Sequence, residues 1–122
     1  MTKRILVVED QEDNRQILRD LLDNAGFEMI EADDGLQALT QAAKHRPDLI
    51  LMDIQLPLLD GYEATRRLKA DPELKAIPII VVTSYALSGD EDKARAAGCD
   101  AYVAKPYSPR ALLAKIREYL PQ

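Results

Sequence analysis

Four short apolar runs in this chain each end on side chains that can do chemistry. "RILVV" at 4–8 leads into Glu9 and Asp10, "LILM" at 49–52 into Asp53, "IIVV" at 79–82 into Thr83 and "AYVA" at 101–104 into Lys105. Three carboxylates, a hydroxyl and an ammonium are the ingredients for handling a phosphoryl group, provided the fold brings them together. Like charges in a small space repel and raise one another's pKa unless a cation intervenes, so a hard divalent ion with oxygen ligands is the natural resolution. Mg2+ is the obvious candidate, because it uses one or two carboxylates, keeps several waters and completes its octahedron with a phosphate. Lys105 would neutralise charge from another side and Thr83 would donate its hydroxyl. Phosphoryl transfer asks little more of a protein than such positioning and neutralisation.

The nucleophile must be a carboxylate. No Ser-His pairing is visible, and the single Cys99 and single His45 are far apart in sequence. Asp53 is the best placed to attack and form an acyl phosphate, which leaves Glu9 and Asp10 to hold the metal. Cys99, in "AAGCDAY", reads as a small packed hydrophobe, and His45 as a solvated helix end.

The elements that must position these residues alternate strictly. Strand-like runs at 4–8, 27–32, 49–52, 79–82 and 101–104 are separated by helical patterns, the signature of βαβ units and a parallel sheet. The runs at 5–8, 49–52 and 79–82 are continuously apolar, as expected where helices cover both faces. The second run alternates more, which places it nearer an edge. Each helix carries its punctuation. Ile17, Leu18, Leu21, Leu22 and Ala25 repeat at helical spacing before Gly26, where a left-handed residue is wanted. Asp33 and Asp34 read as caps for a second helix with Leu36, Leu39, Ala42 and Ala43 on one side and Pro47 as its stop. Asp60 caps a third with Tyr62, Thr65 and Leu68, and "DPE" at 71–73 ends it. Ser88 and Glu91 have the spacing of a capping box for a fourth, closed by Gly98. Ser108 and Pro109 open a fifth that turns Leu112, Leu113, Ile116 and Leu120 inward. The result is an α/β doubly wound sandwich, and such sheets bind ligands beyond the carboxyl ends of their strands.

Composition narrows the function. At 122 residues the chain fits one domain, residues 1–122, and its net charge of −5 argues against direct contact with nucleic acid, whose phosphates require a concentrated excess of Lys and Arg. No apolar run approaches the roughly 20 residues needed to span a bilayer, and "MTKRILVVED" turns charged too early for a signal peptide, so a cytoplasmic protein is expected.

Taken together, "VVEDQEDNR", "DLILMDIQLPLLDG", "IIVVTSYA" and "AYVAKPYS" resemble the successive signatures of receiver domains of two-component response regulators, the CheY-like superfamily. The resemblance covers the whole chain. It implies a flavodoxin-like, CheY-like sheet of five parallel strands in the order 2-1-3-4-5 with five helices, which would bring Glu9, Asp10 and Asp53 into one crevice. It further implies that Asp53 accepts a phosphoryl group from a phosphohistidine on a histidine kinase or histidine phosphotransfer protein. Asp10, Asp53 and the backbone carbonyl of Gln55 would ligate Mg2+, with Glu9 acting through a metal-bound water. Thr83 and Lys105 would each bond a phosphoryl oxygen, and Pro106 is similar to the family's cis proline that aims the lysine. Tyr102 stands where an aromatic turns inward as Thr83 is drawn to the phosphoryl group, remodelling a protein-binding face of the fourth helix, fifth strand and fifth helix. A domain of this kind is a phosphoacceptor that catalyses its own phosphorylation and dephosphorylation, rather than an enzyme with a turned-over substrate. It would be a monomer, with dimerisation on phosphorylation left open.

Some positions are particular to this chain. Glu9 replaces the family's more usual aspartate, and Gln55 and Tyr85 stand where receivers tune access of hydrolytic water; a bulky Tyr85 would prolong the phosphorylated state. "TSYALSGDEDKARAAGCDAYVAKP" also resembles receivers of hybrid kinases and phosphorelays, stand-alone DivK-like regulators included. The initiating methionine and the polar end "REYLPQ" favour a complete, single-domain protein. Two other classes use related features. A metal-dependent phosphatase with an aspartyl nucleophile would want a second aspartate where Gln55 stands, and a docking module would never use the site. Glu9 and Asp10 could alternatively cap the first helix.

Overall fold

A computed structural model describes residues 2–83 and 90–120. The elements run β1 (Arg4–Val8), α1 (Glu12–Asn24), β2 (Glu28–Ala32), α2 (Gly35–His45), β3 (Leu49–Asp53), α3 (Gly61–Ala70), β4 (Ile79–Thr83), α4 (Asp90–Ala96), β5 (Ala101–Ala104) and α5 (Pro109–Tyr119). The five strands form one sheet in the order β2-β1-β3-β4-β5, and every neighbouring pair is parallel. β1 and β3 are therefore neighbours although an edge strand and two helices lie between them in sequence.

Strand alternation splits the core into two layers. Leu6, Val8, Ile50, Met52, Ile79 and Val81 pack with Ala38, Ala42, Ala64 and Leu68 from α2 and α3 on one face. Ile5, Val7, Leu49, Leu51, Ile80 and Val82 pack with Leu18, Leu22, Leu112 and Ile116 from α1 and α5 on the other. A central strand covered on both faces has no polar side, which is why "LILM" is unbroken.

Helix punctuation follows the expected chemistry with exceptions. Asp34, Asp60 and Ser108 each accept a hydrogen bond from the backbone N–H three residues on, at 2.7, 2.9 and 3.0 Å. Gly26 and Gly98 take the left-handed conformation, with φ of +88° and +102°. Asp33 is not a cap; its N–H donates to the Gln37 side chain. The N-cap of α1 is Gln11, so neither Glu9 nor Asp10 caps that helix. The inward face of α2 is Gly35, Ala38 and Ala42, while Leu36 and Ala43 are exposed. A Cβ at Gly35 would collide with the Leu59 carbonyl, and this close approach turns the small residues inward and Leu36 out. Ser88, the proposed cap of the fourth helix, and Tyr85 lie outside the described residues.

Candidate functional site

The strands deliver their terminal side chains to one rim. Val8 of β1 pairs with Met52 of β3, so the next residues, Glu9 and Asp53, emerge side by side. Glu9 N–H donates to the Ala32 carbonyl at 3.0 Å, which continues the β1–β2 ladder by one residue. By alternation Glu9 follows Ile5 and Val7, Asp53 follows Leu49 and Leu51, and Lys105 follows Ala101 and Val103, so all three extend the face covered by α1 and α5. Thr83 follows Ile79 and Val81 on the opposite face, one step beyond Val82, the register partner of Asp53.

Glu9 and Asp53 are 4% and 9% exposed, so both carboxylates must be compensated. Lys105 Nζ lies 3.2 Å from Asp53 Oδ2 and 3.3 Å from Glu9 Oε1, an ammonium shared between two acids. Asp53 Oδ1 accepts from the Gln55 N–H at 3.2 Å. Glu9 Oε2 accepts from the Gln11 N–H at 3.1 Å, and Oε1 also accepts from Asn14 Nδ2 at 3.2 Å. Among the described residues, no buried side-chain nitrogen or oxygen lacks a hydrogen-bond partner.

The charges act on one another as this geometry requires. Burial works against the Lys105 ammonium, yet Asp53 and Glu9 together outweigh it, and its pKa lies above the ordinary 10.5. The Asp10 carboxyl is raised, first by loss of solvent and then by its hydrogen bond to, and repulsion from, Glu9. One carboxylate oxygen from each of Glu9, Asp10 and Asp53 lies within 4.8 Å of the others. Three hard oxygen donors at that spacing, with a single lysine against them, suit a divalent cation such as Mg2+.

The chain matches the model of the response regulator receiver domain over residues 5–117. It belongs to that family. This receiver is 49% identical over 120 residues to the polar-differentiation response regulator DivK of Brucella ovis, and equally to that of Brucella abortus, covering 98% of each chain. Its fold superposes on the receiver domain of a sensor histidine kinase from Pseudomonas aeruginosa, described with a magnesium ion coordinated in its active-site cleft. That match has a TM-score of 0.92 at 36% identity and covers both chains fully. The chemotaxis response regulator CheY4 of Vibrio cholerae aligns with a TM-score of 0.91 at 28% identity, over 98% of this chain and 99% of that one.

Within the receiver, Gln55 directly follows the rim, exposed, its N–H bound to Asp53. The Lys105–Pro106 peptide is cis, and Lys105 N–H donates to the Thr83 carbonyl at 2.7 Å, which ties the β4 and β5 ends together. Tyr102 is half-buried against the α2–α3 face and lies opposite Val81, two residues before Thr83 on the same side of β4. The structure gives roles to residues that lie inside the quoted motifs but had none assigned. Asn14 and Gln11 hold the Glu9 carboxylate, and Gly61 sits where a Cβ would strike the Asp53 carbonyl. A glycine at the first position of a helix, where alanine is the better helix former, is the signal that could have found Gly61.

Proposed function

We propose that this chain is, over its 1–122 residues, a single-domain response regulator that accepts a phosphoryl group on Asp53 from a phosphohistidine of a histidine kinase or histidine phosphotransfer protein. The observation that carries the reading is Asp53 itself: a nearly buried carboxylate at the end of the central strand, with Lys105 on one oxygen and two further acids beside it. In the reaction an Asp53 oxygen attacks phosphorus, the phosphorus–nitrogen bond to the donor imidazole breaks, and an acyl phosphate is left on the receiver. Asp10, Asp53 and the Gln55 carbonyl would hold Mg2+, with Glu9 reaching it through water. The magnesium bound in the cleft of the Pseudomonas receiver supports that choice of ion. Bound there, Mg2+ would neutralise the charge that builds on the phosphoryl oxygens. The chain's own parts do the rest. Lys105 exchanges part of its carboxylate pairing for a phosphoryl oxygen, supported by Pro106, and Thr83 donates its hydroxyl to another. The same site catalyses phosphorylation and hydrolysis of its own aspartate and turns over no separate substrate.

Output would run from Thr83 to Tyr102. Both occupy the same face of adjoining strands, so a Thr83 side chain drawn toward the rim leaves space that the half-buried Tyr102 can enter. That movement would reshape the α4–β5–α5 face for a downstream protein. The phosphodonor would dock beside the site, where exposed Ile17 and Asn14 of α1 adjoin Pro106, Tyr107 and Pro109. We place the protein in the cytoplasm as a monomer that can dimerise when phosphorylated, without direct contact with nucleic acid; among the described residues no helix is long and apolar enough to cross a membrane. Incubation with Mg2+ and a small phosphodonor, read by intact mass, tests the reading. One added phosphoryl group is expected on the wild type and none on Asp53→Asn; an unmodified wild type refutes it.

A further inference from the structure

Two adjacent residues of α1 hold the same residue of the rim in different ways. Asn14 bonds the Glu9 carboxylate, and Arg15 bonds its backbone: Arg15 Nη1 donates to the Glu9 carbonyl at 2.7 Å. The Arg15 side chain is only 14% exposed and the remaining nitrogens of its guanidinium are also engaged, Nε with Glu31 Oε1 at 3.2 Å and Nη2 with Glu12. Glu31, on β2, is held in turn by Arg19 at 2.5 Å. Both main-chain groups of Glu9 are thereby anchored to β2: its N–H directly, through Ala32, and its carbonyl through the Arg15–Glu31 bridge.

The anchored carbonyl belongs to the peptide group that joins Glu9 to Asp10. Because a peptide is planar, rotating that unit moves the start of Asp10 relative to the end of Glu9 and changes how the two carboxylates converge. From this geometry we infer that Arg15 is a positioning residue for the cation-binding pair Glu9 and Asp10, acting through the Glu9–Asp10 peptide plane. The inference rests on the proposed metal role of that pair.

Its sign separates it from simple electrostatics. Arg15 places a positive charge beside an acidic cluster, so removing that charge should tighten cation binding if charge is all that matters. A positioning role predicts the reverse, because the supporting partners of metal ligands usually contribute tenfold or more in affinity. Arg15→Lys keeps the charge but replaces the planar fork with a point donor, so it isolates geometry from charge.

The test is a Mg2+ titration of the full chain followed by backbone amide resonances, for wild type, Arg15→Gln, Arg15→Lys and, as control, Arg67→Gln. Arg67 forms an exposed ion pair with Glu63 within α3 and, among the described residues, has no bond to the rim. Arg15→Gln is expected to raise the Mg2+ Kd roughly tenfold, Arg15→Lys to fall between it and wild type, and Arg67→Gln to match wild type. In metal-free Arg15→Gln, the Asp10 and Gln11 amides should already have shifted. Its phosphorylation rate should drop at low Mg2+ and recover at saturating Mg2+. An Arg15→Gln Kd equal to or tighter than wild type overturns the inference while leaving the metal site standing. If that variant does not fold, a wild-type Kd in Arg15→Lys overturns it equally. A wild type that ignores Mg2+ overturns the metal role, and this inference with it.

Discussion

Replacing Asp10 with asparagine should make the metal-free protein more stable and the Mg2+-loaded protein less stable than wild type. The facing oxygens of Asp10 and Glu9 lie within 4.8 Å of each other. At that separation two unit charges repel by about 3 kcal/mol at an effective dielectric of 20, and by about 1 kcal/mol in bulk water. Asp10 loses only part of its solvent, so the screened end of that range applies and about 1 kcal/mol is gained on neutralising it. For a domain of this size that is a rise in Tm of about 3–5 °C. The raised Asp10 pKa has the same sign: the folded state holds the proton more tightly than the unfolded chain, so the charged form carries a penalty above the folded pKa. Metal-free wild type should accordingly gain from this group as pH falls through that pKa, and Asp10→Asn should not. Saturating Mg2+ reverses the order, since a ligand at a hundred times its Kd adds about 2.7 kcal/mol to the state that binds it. Asp10→Asn lacks a ligand and forfeits most of that gain. The assay is urea unfolding by circular dichroism, in EDTA and in Mg2+, at several pH values. A variant that is less stable than wild type in EDTA, or that gains as much from Mg2+, refutes the reasoning.

Other outcomes follow from the same geometry. Lys105→Ala strips the shared cation from two nearly buried carboxylates and should cost about 2 kcal/mol after allowance for its partial exposure. Because the Lys105 pKa lies above 10.5 in the folded state, that stabilisation is fully present below the ordinary lysine pKa and is lost as pH climbs through the raised value, which alkaline unfolding of wild type against variant measures. Gly61→Ala drives a methyl into the Asp53 carbonyl and should cost about 3 kcal/mol by urea unfolding; phosphorylation should fall even in the folded fraction, and unchanged labelling would show that the acceptor does not depend on this contact. Cys99 is half-buried and burial raises its thiol pKa, so at neutral pH iodoacetamide should modify it about tenfold or more slowly in the native protein than in urea, as followed by intact mass.

The alternation of apolar runs with capped helical patterns was enough to determine the element order, because a strand covered on both faces tolerates no polar side chain and a helix end must satisfy its free N–H groups. The same logic made Asp53, Thr83 and Lys105 legible, since each breaks an apolar run at the carboxyl end of a strand. The strand order came from family resemblance, because every crossover joins parallel strands and periodicity cannot say on which side the next strand is laid. Only the tertiary structure shows Glu9 beside Asp53 and Lys105 bridging them from 96 and 52 residues away in sequence. It alone turned Leu36 outward, through the approach of Gly35 to the Leu59 carbonyl, a steric fact with no periodic trace. Arg15 shows the limit most clearly: in sequence it is one more charge on an amphipathic helix. Its bond to the Glu9 carbonyl depends on how α1 folds back over the end of β1, and its brace on Glu31 exists only because β2 lies against β1; contacts of that kind are set by packing rather than by local pattern.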